Sequence, residues 1–186
     1  MPLRDRTLAE LADFARLVVR SGYLDRTRAL DEVGDFVRAE VGDAEAYALT
    51  ERLVDEARTD LARDAETWPA RSDNDALAEV FDELRERGLR VLEYCQDHHD
   101  ANAELRSHPE ASGIVFCTET DVWHAITENM LELKVWHADT SNVVSADPEL
   151  AVVIDVLTRH GLPALFDEGR IEVSMTWRRR PGATAS

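Results

Sequence analysis

The chain has 186 residues, enough to bury a core as one domain or as a small domain with a helical extension. It carries 38 acidic residues against 21 basic ones, a formal net charge of −17, and Lys134 is the single lysine beside twenty arginines. A surface this negative repels phosphate backbones and anionic lipid headgroups, which sets aside nucleic-acid readers and membrane-surface binders.

The first third reads as helices. Leu8, Leu11, Ala12, Ala15, Val18 and Val19 keep the spacing that lays one apolar stripe along a helix, and Ser21-Gly22 ends it. Leu30, Val33, Val37 and Val41 form a second stripe, stopped at Gly42. Ala46, Leu49, Leu53, Ala57 and Leu61 form a third, closed by Trp68-Pro69. None of these is stable alone in water, so they pack on one another or on the rest of the chain.

From Ser72 the pattern changes. Ser72 and Asp75 form a capping box, with Leu77, Val80, Phe81 and Leu84 at helical spacing up to Gly88. Residues 89–94 read as a strand and residues 97–107 as a polar helix. Residues 113–117 form a short, wholly apolar strand of the kind covered on both faces. Thr118 and Asp121 make a second capping box for a helix over 118–129. Leu131, Leu133 and Val135 alternate with Glu132, Lys134 and Trp136 as a half-buried strand. Asp147-Pro148 opens a helix that Gly161 and Pro163 end, and residues 164–166 and 171–177 flank a hairpin turn at 167–170.

The expected fold is therefore α/β or α+β. A helical segment over 1–70 packs on a mixed sheet of about five strands in β-α-β-α-β-α-β-β order over 71–180, and 181–186 form a disordered tail. The connections between the first four strands are long enough for parallel crossovers, and the last two strands should be antiparallel. Residues 1–70 hold 16 acids and 10 bases and residues 71–186 hold 22 and 11, with no separate acidic tail. Residues 1–6 lack the apolar run of a signal peptide, and the aliphatic run at 150–154 is too short to span a bilayer. Two cysteines cannot build a disulfide framework, so the expectation is a soluble cytoplasmic protein with both thiols reduced.

Three blocks give the chain a resemblance that covers it from about Leu8 to Arg180. They are Thr67-Trp68-Pro69 followed by Ser72-Asp73 and Asp75; Tyr94-Cys95-Gln96 followed by Gly113-Ile114-Val115-Phe116 and Asp121; and Gly161-Leu162-Pro163 followed by Trp177-Arg178-Arg179-Arg180. In these it resembles an actinobacterial family of uncharacterised proteins, domain-of-unknown-function family 6891. The resemblance implies no established activity. It does imply a C-x-x-C pair after the first strand, where this chain has Cys95-Gln96-Asp97-His98, and a histidine after the second-strand phenylalanine, where this chain has Cys117-Thr118.

Among the chemistry-bearing residues, Cys95, His98, His99, Asp100, Cys117 and His108 form the richest cluster. Cys95 and Cys117 fall at strand ends on the sheet edge where open α/β folds place their sites. Soft sulfur and imidazole ligands suit tetrahedral zinc, which makes Cys95, His98 and Cys117 the candidate metal ligands. The competing expectation is that both cysteines are small buried hydrophobes and that His98 and His99 face solvent. Cys117, just before a helix start, is also a candidate thiol nucleophile with a histidine base. Trp123, Trp136, Trp177 and Phe116 read as core or hydrophobic cover ahead of a pocket lining. Arg178, Arg179 and Arg180 read as partners of nearby acids ahead of a phosphate site.

With no phosphate loop, no catalytic serine or aspartate motif and no complete metal motif, the leading expectation is a non-enzymatic protein-binding or accessory domain without a cofactor, meeting a basic protein partner. The alternative is a metal- or thiol-dependent enzyme working from Cys95, His98 and Cys117, with zinc as its metal.

Overall fold

The computed structural model describes residues 5–182, which divide into two units: residues 5–69 with 178–182, and Ala70–Trp177. Residues 183–186 of the expected tail lie outside the described residues.

The first unit is built from α1 (Asp5–Ser21), α2 (Arg26–Val41) and α3 (Asp43–Ala65). Each helix packs against the other two. Leu11, Ala15 and Val18 of α1, Val33 and Val37 of α2, and Leu53, Val54 and Leu61 of α3 share one buried cluster. Each such valine or leucine side chain taken from water stabilises by roughly 1.5–3 kcal/mol. Asp25 caps α2 by accepting from the Arg28 amide at 2.9 Å. Gly42, at φ +78°, is the whole connection between α2 and α3, and that left-handed backbone is why a glycine stands there.

In chain order the second unit runs α4 (Asp73–Glu86), β1 (Leu89–Cys95), α5 (His98–Ser107), β2 (Gly113–Thr118), α6 (Glu119–Glu128), β3 (Met130–His137), α7 (Pro148–Arg159), β4 (Ala164–Asp167) and β5 (Arg170–Ser174). It is a mixed α/β unit whose five strands lie in the order β1-β2-β3-β5-β4. Both capping boxes form: the Ser72 amide donates to Asp75 at 2.7 Å and the Thr118 amide to Asp121 at 2.7 Å. Asp147 precedes Pro148 as expected, but its carboxylate turns back to the Val144 amide at 2.6 Å and caps no α7 amide.

β1 and β2 are parallel, whereas β3 runs antiparallel to β2, which corrects the expected run of parallel crossovers. A parallel return needs a dozen or more residues. Only residues 119–129 lie between β2 and β3, and the left-handed residue Asn129, at φ +58°, turns α6 directly into β3. β5 stops at Ser174, short of the expected Trp177, because both neighbours run out: β3 starts at Met130 opposite Ser174, and β4 at Ala164 opposite Val173. The alternation persists beyond the ladder, with Met175 and Trp177 both buried. The β4–β5 turn is the pair Glu168-Gly169, both at positive φ, the two-residue hairpin geometry that matches strand twist.

Pleating sorts the two sheet faces. Val115, Leu131, Leu133, Val135, Ile171 and Val173 are all buried on one. α4 packs on β1 and α7, and α7 reaches β4, so this helix pair spans the sheet. Ile114 and Phe116 point the other way and pack with Ala101 and Leu105 of α5.

Candidate functional site

The parallel pairing of β1 and β2 brings Cys95 and Cys117 to one sheet edge. The ladder is irregular between Leu92 and Cys95, and Tyr94 sits at φ +57°, a costly conformation for a bulky side chain. That kink lets the Cys95 thiol donate to the Cys117 carbonyl at 3.4 Å. Both cysteines are buried. Burial above all, with the Asp100 charge second, pushes the Cys95 thiol up to about 11, and burial pushes Cys117 up to about 12. Desolvation thus outweighs the helix start at Thr118, and Cys117 has none of the lowered pKa a thiol nucleophile needs.

His98 and His99 face solvent on the first turn of α5, their rings 4.0 Å apart. Asp97 accepts from the His99 amide at 2.7 Å, and Asp100 from the Gln96 amide at 2.8 Å, so both carboxylates serve the turn. His108, at the far end of α5, sets its ring nitrogen 3.0 Å from the Glu104 carbonyl. The structure therefore joins Cys95 to Cys117, with His98 exposed on the first turn of α5. Among the described residues no group of three or more histidine, cysteine, aspartate or glutamate side chains is arranged to hold a metal ion.

Lys134 has a role that sequence reading missed. Its ammonium lies 2.5 Å from Asp121 Oδ2, the oxygen that also accepts from the Thr118 amide and hydroxyl at 2.7 Å each. The capping carboxylate is buried, and the single lysine neutralises it. Only the β2–β3 register, which pairs Phe116 with Lys134, brings the two together.

The aromatic residues serve the core. Trp136 meets Phe116 edge-on at 4.8 Å, Trp177 is buried, and Trp123 is half-buried. The arginine run belongs to the helical unit. Arg179, 8% exposed, lies 4.0 Å over the Tyr23 ring, and Arg180 donates to the Ala65 and Pro69 carbonyls at 3.3 and 2.6 Å.

A feature with room for a ligand lies elsewhere, between α2 and α3. A cleft of about 400 Å³ is lined there by Leu30, Asp31, Gly34, Arg38, Tyr47, Thr50 and Glu51, among others. Thr50 is 5% exposed, and its hydroxyl has no hydrogen-bond partner among the described residues. A helical threonine commonly back-bonds to the carbonyl four residues earlier, but this one does not. A Cβ added at Gly34 would stand 3.8 Å from that hydroxyl and 3.7 Å from the Thr50 methyl, so the missing side chain opens the cleft floor. Tyr47, 74% exposed, donates its hydroxyl to Glu51 at 3.1 Å, and that carboxylate holds the phenol above its usual value. Arg38 is bonded to Asp35, and Arg26 grips Asp55 through two bonds of 3.0 Å. Two signals in the sequence marked this place: a glycine inside an apolar helical stripe, and a threonine between Leu49 and Leu53 on the buried face of the next helix.

A search of curated proteins finds no match to this chain, and a search of solved structures finds none either. A family model does match, over residues 4–181, nearly the full length. The chain belongs to the family described as a domain of unknown function, DUF6891.

Proposed function

We propose that this chain is a cytoplasmic, non-enzymatic binding or accessory module whose partner is a basic protein. The observation that carries the reading is how charge divides between the units. Ala70–Trp177 holds 22 acids against 8 bases, while the rest of the chain holds 16 against 13. Many arginines of both units are already engaged with carboxylates on the same surface, as in Arg85 with Glu93, Arg90 with Glu104 and Arg159 with Glu83. The second unit still keeps fourteen more acids than bases, and Glu86, Glu110 and Glu128 are among those that face solvent. A field of one sign speeds encounter with a partner of the other sign and discourages like-charged competitors. The two thiols, held protonated at neutral pH, add no nucleophile to this surface.

The test is retention on the immobilised chain at low and at high salt. The reading expects proteins rich in lysine and arginine to be held in fixed stoichiometry at low salt. They should be released as screening shortens the Debye length from about 30 Å at 0.01 M to about 3 Å at 1 M. Retention of acidic or neutral proteins, or retention indifferent to salt, contradicts it.

A further inference from the structure

We infer that the α2–α3 cleft of the helical unit takes an arginine side chain from a basic protein partner. The inference rests on the basic-partner reading for the partner's charge and adds the place and chemistry of contact. The first support is Thr50. A buried hydroxyl left unbonded is costly, and this one lines a cleft beside a glycine. A guanidinium carries five donors and no acceptor, so the hydroxyl oxygen, covered in the free chain, is a fitting acceptor for it.

The second support is the rim. Asp31, Asp43 and Glu51 line it with Arg38, which is already bonded to Asp35, and Arg26 reaches Glu51 at 4.0 Å, so the excess carboxylates are Asp31 and Asp43. The unmatched charge of the cleft is negative. The third is Tyr47. Nothing in the fold requires an aromatic ring 74% exposed, and its bond to Glu51 fixes the ring at the mouth. A planar guanidinium stacks on such a face while its edge reaches carboxylates, which an ammonium does less well. Size agrees: about 400 Å³ lies toward the small end of ligand sites, which run about 300–1,000 Å³.

The probe is an acetylated, amidated Gly-Gly-Arg-Gly-Gly peptide, with versions carrying lysine or citrulline, titrated into the full chain at low salt and followed by amide NMR. The arginine peptide should shift Gly34, Tyr47 and Thr50 saturably, and citrulline should bind at least tenfold more weakly. Gly34→Ala fills the floor and Tyr47→Ala removes the exposed ring; each should weaken binding tenfold or more while the chain stays folded. Thr50→Val, which keeps the shape and removes the hydroxyl, should weaken it severalfold. Arginine binding left at the wild-type level by Gly34→Ala and Tyr47→Ala overturns the inference, as does the absence of any saturable shift at Thr50. If a basic protein is still retained by those two variants as by the wild type, the cleft fails and the basic-partner reading stands. If the wild type retains no basic protein, that reading fails first.

Discussion

The Cys95 thiol donates to the Cys117 carbonyl across 3.4 Å, tying the end of β1 to the end of β2 at an irregular point in the ladder. Both sulfurs are buried, and their thiols sit near 11 and 12. At pH 7.5 the folded protein should therefore give almost no reaction with an aromatic disulfide reagent over many minutes. Two equivalents should react at once in denaturant. A fast native thiol would show that this edge opens or that one sulfur is activated.

Gly113 begins β2 opposite His137, where an added Cβ would run into the Trp136 backbone carbonyl. Backbone in a ladder cannot swing aside as a side-chain tip can. Gly113→Ala should cost about 1–3 kcal/mol, the usual range for overpacking. Gly34→Ala meets only ordinary contacts of 3.4–3.8 Å inside a helix and should be neutral or stabilise by up to about 1 kcal/mol. Denaturant midpoints of the two variants should move in opposite directions or differ clearly in size.

Arg179 lies over Tyr23, and its Cδ and Cγ would stand 2.8 and 2.9 Å from a Cβ on Gly22, itself at φ +75°. Arg179→Ala removes the cation–ring contact and the packed stem, and should cost about 1–2 kcal/mol. Gly22→Ala should cost about 1 kcal/mol or more through backbone strain and crowding. Hydrogen exchange localises the effect: amides of α1 and α3 should lose protection in both variants. Uniform loss across β1–β5 instead would contradict the assignment of residues 178–182 to the helical unit.

Glu83 is held down to about 2, chiefly by its bond to Arg159, then by Arg87 and His160. His160 sets its two ring nitrogens 3.1 Å from Glu79 and from Glu83, so its fully bonded form is the imidazolium, which donates twice. Because the folded value of Glu83 lies below the ordinary 4.5, its stabilisation is complete above that pH and is lost as pH falls toward 2. Glu83→Gln should lower the urea midpoint at pH 6, and the gap to wild type should close between pH 4.5 and 2. Glu83 is half-buried but its partners Arg87 and Arg159 are exposed, so the effect is modest and shrinks in high salt. A gap independent of pH would place the effect in packing.

Most helices were legible because their signals are local. Apolar stripes at helical spacing, the Ser72–Asp75 and Thr118–Asp121 capping boxes, and Gly42 all act within one or two turns of chain. The strands were legible as elements but not in direction, since the reversal at β3 depends on Asn129 joining α6 to β3 without a loop. The site was less legible. The two cysteines were placed on the right edge because parallel strands put their ends together, but the bulge at Tyr94 and the burial that silences both thiols are tertiary facts. Thr50 and Gly34 stand on different helices, sixteen residues apart in sequence, and only the packing of α2 on α3 turns a helix-weakening glycine into a cleft floor.

The most direct test of the basic-partner account is the association rate constant for a basic protein retained by the chain, measured by stopped flow across ionic strength. If the acidic surface recruits that partner, the rate should exceed the unsteered range of about 10⁵–10⁶ M⁻¹s⁻¹ at low salt. It should then fall steeply as salt rises, with dissociation changing far less. A rate constant flat from about 0.01 to 1 M salt, where the Debye length shrinks roughly tenfold, would contradict the account.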